Sequence, residues 1–370
     1  MDRTPDVIVI GAGVIGLSIA CELSRRGARV HVVDARAPGE GATQASAGML
    51  TPHTETGHLP ALRALAAHSL DLYDAFLQRL RDDSGIDVEY RRCGSLHVAT
   101  DQAHLENLRR LAVRLAASAV AAELLNPQQV RQHEPAIAAD IAGGLLVPAH
   151  GYVVAPDLVR ALVAAATAHG ARIEAERVLA VRADATAVRV ETESSTLQAA
   201  RVVVAAGSWS SRISVAGDNA VPVRPVRGQI VHLDWSTSPI SRIVWGPDCY
   251  LVPRATGTML VGATVEEAGF DERATTAGVH DLLDAACDLL PSAWQAAFDS
   301  VRVGLRPATP DELPVLGASP HAPGVYYATG HYRNGVLLAP VTAVLLAELV
   351  LGQPADQVPS AFRPDRFRSM

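Results

Sequence analysis

Three glycines and one aspartate near the start of the chain have the types and spacing of a dinucleotide-binding motif. Gly11, Gly13 and Gly16 form a G-x-G-x-x-G pattern, and Asp34 follows about 20 residues later. In such a motif the glycines permit a tight turn, backbone approach to a pyrophosphate and close packing of a helix on a strand. The aspartate accepts a hydrogen bond from an adenosine ribose. The predicted chemistry is the binding of FAD or NAD, and the motif alone leaves both open.

The residues around this motif predict the strand–helix–strand unit that must position it. An apolar run at residues 7–10 has the length of a buried parallel strand, and apolar residues then recur at helical spacing up to Gly27. A second apolar run, residues 30–33, ends at Asp34. This context favours dinucleotide binding over a glycine-rich turn without a ligand.

The composition of the 370-residue chain argues against several classes of function. A net charge of −7 and a pI near 6.0 disfavour a nucleic-acid or anionic-membrane surface. The four cysteines are scattered, which disfavours a metal or disulfide framework and fits a reducing cytoplasm. We expect no secretion signal, and the most apolar late segment, 336–350, is too short to span a bilayer. The chain has no lysine, so Schiff-base chemistry is excluded and every fixed cation is an arginine.

The order of the predicted elements indicates a discontinuous α/β architecture with two domains. Strand–helix–strand units open the chain, β-rich segments interrupt it twice, and a buried α/β element closes it. We expect a Rossmann-like dinucleotide-binding domain made of residues 1–86, 150–221 and 307–370. An inserted, mostly antiparallel β-sheet domain for the substrate is predicted at 87–149 and 222–306. Within it, residues 301–304 are predicted to form a short strand.

Four further segments narrow the interpretation. They are Ser46-Ala-Gly-Met-Leu50; Cys249-Tyr-Leu-Val-Pro-Arg254 with Val261-Gly-Ala-Thr264; Gly304-Leu-Arg-Pro-Ala-Thr-Pro-Asp-Glu-Leu-Pro-Val-Leu-Gly317; and Gly330-His-Tyr-Arg-Asn-Gly-Val-Leu-Leu-Ala-Pro340. With the glycine motif, they resemble the D-amino-acid-oxidase superfamily of flavoproteins. Within it the chain is similar to the glycine oxidases, including the ThiO enzymes of thiamine biosynthesis, over nearly its whole length. The last two motifs are the more specific ones.

This resemblance implies an enzyme that binds FAD in the predicted dinucleotide-binding domain. The family oxidises a small amine or amino acid (glycine, sarcosine or a small D-amino acid) to an imine by hydride transfer from Cα to flavin N5, and O₂ is reduced to H₂O₂. The imine then hydrolyses to a 2-oxo acid or, as dehydroglycine, supplies thiazole synthesis for thiamine. Related sarcosine oxidases attach the flavin to a cysteine near the C-terminal motif and use a lysine in oxygen activation. This chain has no cysteine after Cys287 and no lysine, so the resemblance implies non-covalent FAD and a different setting for oxygen. Family analogy also suggests a homo-oligomer, a tetramer or dimer.

Four residues are implied as substrate-site residues by their positions in these motifs. Arg306 corresponds to the arginine that holds the substrate carboxylate, and Arg333 to a second pocket arginine; both are expected in glycine-flanked loops. Tyr250 corresponds to a pocket tyrosine. Val265 corresponds to a pocket wall where related enzymes have methionine, so we expect a substrate range wider than glycine. No side-chain base is required if Cα–H leaves as hydride, and His331 is interpreted as structural.

The resemblance also implies cofactor contacts spread along the chain. The residues expected to contact FAD are Gly11, Gly13, Val14, Ile15, Gly16, Asp34, Ala35, Arg36, Thr43, Ala45, Ser46, Gly48, Met49, Val178, Ala206, Gly207, Trp209, Arg306, Gly330, Arg333, Asn334, Gly335, Val336 and Leu337. The last predicted helix begins about Gly335, where its positive end would stabilise negative charge on the flavin.

Two alternatives to an oxidase remain open from the sequence. One is a flavin dehydrogenase of the same fold that passes electrons to a quinone or a partner protein. The other is an NAD-dependent reductase that uses only the N-terminal motif. Release of H₂O₂ under air separates the first alternative from an oxidase, and flavin absorbance of the purified protein separates the second.

Overall fold

The computed structural model describes residues 4–56, 59–184, 187–218 and 221–367, so the predicted domain ends at residues 1 and 370 lie outside the described part. The helices are α1 Val14–Arg25, α2 Pro52–Glu55, α3 Pro60–Ser84, α4 Gln102–Ala117, α5 Pro127–His133, α6 Ala155–Ala168, α7 Thr276–Leu289 and α8 Gly335–Val350. The strands are β1 Val7–Ile10, β2 Val30–Asp34, β3 Met49–Leu50, β4 Tyr90–Arg91, β5 Ser95–Ala99, β6 Glu123–Leu125, β7 Gly143–Val147, β8 Gly151–Val153, β9 Arg172–Ala175, β10 Val178–Ala183, β11 Val188–Thr192, β12 Thr196–Ala199, β13 Arg201–Val204, β14 Ser214–Val215, β15 Arg224–Asp234, β16 Ile243–Trp245, β17 Tyr250–Pro253, β18 Thr258–Gly262, β19 Ala297–Ala308, β20 Val315–Ala318 and β21 Val325–Thr329.

A six-stranded sheet carries the glycine motif. Its strand order is β20-β21-β13-β1-β2-β9, and all neighbours are parallel except β20 and β21. All four residues of β1 are buried, as a central parallel strand requires. Helix α1 packs against α6 and α8. The strand–helix–strand unit predicted around the motif is present as β1, α1 and β2.

An eight-stranded sheet forms the second large layer. Its order is β19-β15-β18-β17-β16-β5-β7-β6, and every pair is antiparallel except β16 with β5. Its strands come from residues 95–147 and 224–308, whereas those of the six-stranded sheet come from before, between and after these stretches. The predicted α/β fold with an inserted, mostly antiparallel sheet is confirmed. The domain boundaries themselves stay a prediction.

Strand β19 is much longer than the predicted strand at 301–304. It is twelve residues long, from Ala297 to Ala308, and eleven of these residues pair with β15 across one register shift. Proline interrupts strand patterns, and Pro307 stands opposite Pro225 in this pair. Both prolines are tolerated because β19 is an edge strand and β15 pairs with β18 only from Ile230 onwards. Two smaller sheets, β3-β8-β4 and β12-β11-β10-β14, are also present, and the second includes an antiparallel β10–β11 pair.

None of the helices in the described ranges is long and apolar enough to cross a membrane.

The first turn of α8 depends on hydrogen bonds from α3. Pro340 lies inside α8 and has no N–H, so the carbonyl of Val336 loses its intrahelical donor. The hydroxyl of Tyr73 donates to this carbonyl at 2.6 Å, and Ser69 Oγ donates to the carbonyl of Leu337 at 2.7 Å. Tyr73 and Ser69 are both fully buried in α3. Helix α3 therefore satisfies the backbone that the proline leaves open.

We predict that Tyr73→Phe lowers the free energy of unfolding by about 1–3 kcal/mol, because it leaves a buried carbonyl without a donor. The loss of unfolding free energy caused by Tyr73→Phe should be smaller in a Pro340→Ala background, because the N–H of Ala at position 340 can donate to the Val336 carbonyl. Urea unfolding of the two single variants and the double variant measures both values. An equal loss in the two backgrounds would contradict this account.

Candidate active site and cofactor cavity

Residues from both large sheets line one long cavity of about 440 Å³, a volume within the usual range for small-molecule sites. Most of the predicted cofactor residues lie in its wall. They are Gly11, Gly13, Val14, Ile15, Asp34, Ala35, Arg36, Thr43, Ala45, Ser46, Gly48, Met49, Val178, Ala206, Gly207, Trp209, Arg306, Arg333, Gly335 and Val336. Gly16, Gly330, Asn334 and Leu337 are not among the lining residues. Direct FAD contacts stay a prediction.

One end of the cavity is formed by the start of α1 and the end of β2. Gly11 has a φ of +114°, and a Cβ atom there would lie 2.4 Å from the carbonyl oxygen of Ala205. A Cβ atom at Gly16 would lie 1.9 Å from the carbonyl oxygen of Gly11, so Gly16 acts behind the wall, by close packing. The Asp34 carboxylate is oriented by backbone N–H groups of Ala12, at 2.7 Å, and Arg36, at 2.9 Å. A helix N-terminus beside a fixed carboxylate suits a pyrophosphate next to a ribose.

Another part of the cavity wall is closely packed backbone. Gly48 has a φ of +67°, and a Cβ atom there would lie 1.8 Å from the carbonyl oxygen of Val153. Gly335 and Val336, the first residues of α8, also line this cavity. N–H groups in the first turn of a helix lack intrahelical acceptors, so they can stabilise negative charge on a bound group.

Arg306 lies on β19 and not in the glycine-flanked loop that we expected. Its Nη1 donates to the backbone carbonyls of Thr264, at 2.9 Å, and Arg227, at 3.3 Å. No carboxylate in the described part of the chain forms an ion pair with it. Burial lowers the pKa of Arg306, yet a guanidinium stays protonated in proteins. A cavity wall with this unpaired cation is a site for an anionic ligand group.

Two strand glycines, which the sequence analysis missed, make room for Arg306 and Tyr250. A Cβ atom at Gly228 on β15 would lie 2.3 Å from Arg306 Nη1, and one at Gly262 on β18 would lie 2.4 Å from the Tyr250 hydroxyl. Each functional side chain therefore lies across the glycine of a neighbouring strand. Glycine inside a strand pattern is the available signal, since it often marks a close approach.

Tyr250 is held among aromatic rings at the cavity wall. Its ring centre lies 5.1 Å from that of Trp245, which stacks on His97 at 5.8 Å. Burial raises the pKa of Tyr250 to about 12, so its hydroxyl keeps its proton at neutral pH. A protonated hydroxyl beside Arg306 can donate a further hydrogen bond to a bound carboxylate.

Glu55, at the end of α2, adds an acidic group to the same cavity and was not predicted. Its Oε2 accepts a hydrogen bond from Thr51 Oγ1 at 2.6 Å. Burial raises the pKa of Glu55, while the Thr51 hydrogen bond and the charges of Arg333 and Arg306 oppose that rise. No local pattern marks this residue, because α2 reaches the cavity only through the tertiary fold.

The two remaining predicted site residues have different positions. Arg333 lines the cavity at an exposed part of its wall, with its guanidinium carbon 5.4 Å from the ring centre of Tyr332. Val265 is 52% exposed and is not among the lining residues, which corrects the expectation that it forms a pocket wall. Ala263 lines the cavity instead, and the chain after Gly262 continues beside β15, where the Thr264 N–H donates to the Gln229 carbonyl at 3.3 Å.

The comparisons with known proteins agree with this geometry. The family described as "FAD dependent oxidoreductase" matches residues 6–349, and the chain belongs to this family. Glycine oxidase of Geobacillus kaustophilus is 35% identical over 95% of this chain and 94% of its own. A crystal structure of glycine oxidase from that organism has a TM-score of 0.94 and 34% identity, and covers 98% of this chain and 99% of that one.

A longer relative is similar over the same stretch. The bifunctional protein ThiO/ThiG of Nostoc sp. is 36% identical over 98% of this chain, which spans 55% of that relative's length. Together these relatives define the protein as an FAD-dependent oxidoreductase of the glycine oxidase or ThiO type. The prediction of FAD as the cofactor is confirmed, and an NAD-dependent reductase is excluded. Within the described ranges, no group of three or more His, Cys, Asp or Glu residues could hold a metal ion.

We predict that Gly228→Ala weakens binding of a small carboxylate such as acetate by about tenfold or more, because the added methyl group displaces the Arg306 guanidinium. The end of a long side chain can move, so the fold and the FAD content should stay as in the wild type. Titration of the flavin absorbance measures the dissociation constant. In an Arg306→Ala background the same substitution should add little, and unchanged acetate binding in Gly228→Ala alone would refute the model.

We predict a pH-dependent loss of stability from His331, which is buried and lies 3.2 Å from Thr342 Oγ1. Burial lowers the pKa of His331 from 6.5 to about 3, so its stabilising contribution is present above pH 6.5 and is lost as the pH falls toward 3. At pH 4.5 this loss is about 2–3 kcal/mol. Urea unfolding at pH 7.5 and 4.5 should show a smaller decrease for His331→Asn than for the wild type. Parallel decreases would argue against a neutral buried His331.

Proposed function

We propose that the protein oxidises glycine and other small amino acids or amines, among them sarcosine and small D-amino acids, to the imine, with O₂ reduced to H₂O₂. The observation that carries this proposal is the Arg306 guanidinium, which faces the cofactor cavity without a carboxylate partner in the described part of the chain. An amino-acid carboxylate would supply the missing charge. The similarity to glycine oxidases supports the same substrate class.

Contacts at both ends of the substrate, its carboxylate and its ammonium group, would orient it in the cavity. Arg306 binds the carboxylate through its guanidinium, and the Tyr250 hydroxyl donates a second hydrogen bond. Glu55 accepts a proton from the substrate ammonium at Oε1, since Oε2 is engaged by Thr51. A carboxyl group whose pKa is raised is better suited to this transfer than an exposed one. The neutral amine can then lose Cα–H as hydride.

When bound, FAD supplies the two-electron acceptor for this hydride. The C–N single bond of the substrate becomes a C=N double bond as one hydride and one proton leave. The imine product hydrolyses to a 2-oxo acid and ammonia or, from glycine, is used as dehydroglycine in thiazole synthesis for thiamine. The similarity to ThiO/ThiG supports the latter role. A cytoplasmic location and a homo-oligomeric state, tetramer or dimer, are further parts of this proposal.

The proposal is tested by anaerobic reduction of the bound flavin. The holoenzyme is mixed without oxygen with glycine, sarcosine, D-alanine, L-alanine and ethylamine, and the loss of flavin absorbance is followed. Glycine, sarcosine and D-alanine should reduce the flavin, and admission of air should give one H₂O₂ per reoxidised flavin. Flavin that is reduced but yields no peroxide would favour the dehydrogenase alternative, in which a quinone or a protein accepts the electrons.

We predict that Arg306→Ala lowers kcat/KM for glycine by at least about 100-fold, because it removes a buried charge-assisted carboxylate contact. FAD content should not change, and the small rate with ethylamine should be affected far less, since that amine has no carboxylate. Arg306→Lys is the matched control, because it keeps the charge and loses the planar guanidinium. Its kcat/KM for glycine should lie between the values of the wild type and of Arg306→Ala. Wild-type kinetics in Arg306→Ala would place the carboxylate site elsewhere.

A further inference from the structure

The connection between β18 and α7 contacts the wall of the cofactor cavity from outside the cavity. It comprises residues 265–274, between β18 and α7, and is termed the strap. The strap contacts three residues that line the cavity: Arg36, which follows β2, and Trp209 and Arg212, which follow β13. No strap residue is itself among the described residues that line the cavity. The strap thus holds the wall from behind.

The contacts between the strap and the wall form one continuous cluster. Two guanidinium nitrogens of Arg36 donate to the two carboxylate oxygens of Glu272, at 2.9 and 2.6 Å. The Arg36 guanidinium carbon also lies 4.4 Å from the ring centre of Trp209. The rings of Trp209 and Phe270 are 5.7 Å apart, and the Arg212 guanidinium carbon lies 3.6 Å from the centre of Phe270. Phe270 and Glu272 therefore restrain an indole and two cations of the cavity wall.

The base of the strap is anchored within its own sheet. Arg227, whose side chain is 8% exposed, pairs with the Glu266 carboxylate and donates to the backbone carbonyls of Asp271, at 3.5 Å, and Arg273, at 3.2 Å. The backbones of Arg227 and Glu266 also exchange two hydrogen bonds, at 2.9 and 3.0 Å. None of the residues in these anchoring contacts is among the described residues that line the cavity.

We propose that Phe270 and Glu272 are cofactor-retention residues, which slow the release of FAD by keeping Arg36, Trp209 and Arg212 in the closed cluster. An isolated exposed ion pair contributes little to stability. Here the pair is bidentate and its cation lies over an aromatic ring, so the members of the cluster restrain one another. Opening the cluster frees a part of the wall that FAD must pass or contact. The strap therefore acts on FAD dissociation more than on association.

The test measures FAD release from the holoenzyme. Bound flavin is diluted below its dissociation constant, and the rise in fluorescence of free flavin gives the rate. Glu272→Gln and Phe270→Ala should each release FAD roughly tenfold faster than the wild type, since ion-pair and cation–π contacts of this kind are each worth about one power of ten in rate. The double variant should be faster still, and Phe270→Tyr, which keeps the ring, should behave like the wild type.

The matched control is Glu267→Gln, on the same strap. Glu267 pairs with exposed Arg224, which does not line the cavity, so this variant should release FAD at the wild-type rate.

Added NaCl should speed FAD release in the wild type more than in Glu272→Gln, because salt screens the Arg36–Glu272 pair. Wild-type release rates in Phe270→Ala and Glu272→Gln would overturn the proposal. A loss of apoprotein stability in these two variants that is large enough to account for faster FAD release would also overturn the proposal. The outcome is independent of which amine the enzyme oxidises.

Discussion

The Arg306 guanidinium keeps its proton and has no carboxylate partner in the described part of the chain, and the neighbouring cavity wall is arranged around it. Arg306 is held by backbone carbonyls, which orient its charge but do not neutralise it. Gly228 leaves the space in which the guanidinium lies. A buried cation of this kind is energetically unfavourable without a counter-ion, so the cavity wall around Arg306 favours an anionic group on a bound ligand.

The same residue that orients Arg306 also anchors the strap. The Arg227 carbonyl accepts a hydrogen bond from Arg306, while the Arg227 side chain binds the strap through Glu266 and Asp271. One residue of β15 thus connects Arg306 with the segment that contacts Arg36 and Trp209. Arg306 and the strap are therefore both linked to β15, which pairs with β19.

The sequence predicted the features that depend on local pattern and failed where distant segments meet. The β1–α1–β2 unit follows from periodicity and glycine spacing, and Tyr250, Arg306 and Arg333 were placed in the cavity by motif position. The full length of β19 was hidden by a proline that only an edge strand tolerates. Glu55 lines the cavity because the tertiary fold places α2 beside it. No sequence repeat or residue spacing predicts this placement. Val265 was expected in the cavity wall, but its motif position does not say which side of the chain beside β15 its side chain takes, and it is exposed.

The hydrogen bonds that α3 donates to the first turn of α8 have a consequence for folding. Tyr73 and Ser69 meet their carbonyl partners across 263 and 268 residues of chain. Closing so long a loop is entropically unfavourable, and non-local contacts of this kind form slowly. The carbonyls of the first turn of α8, which lines the cavity, gain these two donors only when α3 docks on α8. This part of the cavity wall therefore combines segments that are far apart in the chain, and a nascent chain cannot form it before α8 has been synthesised.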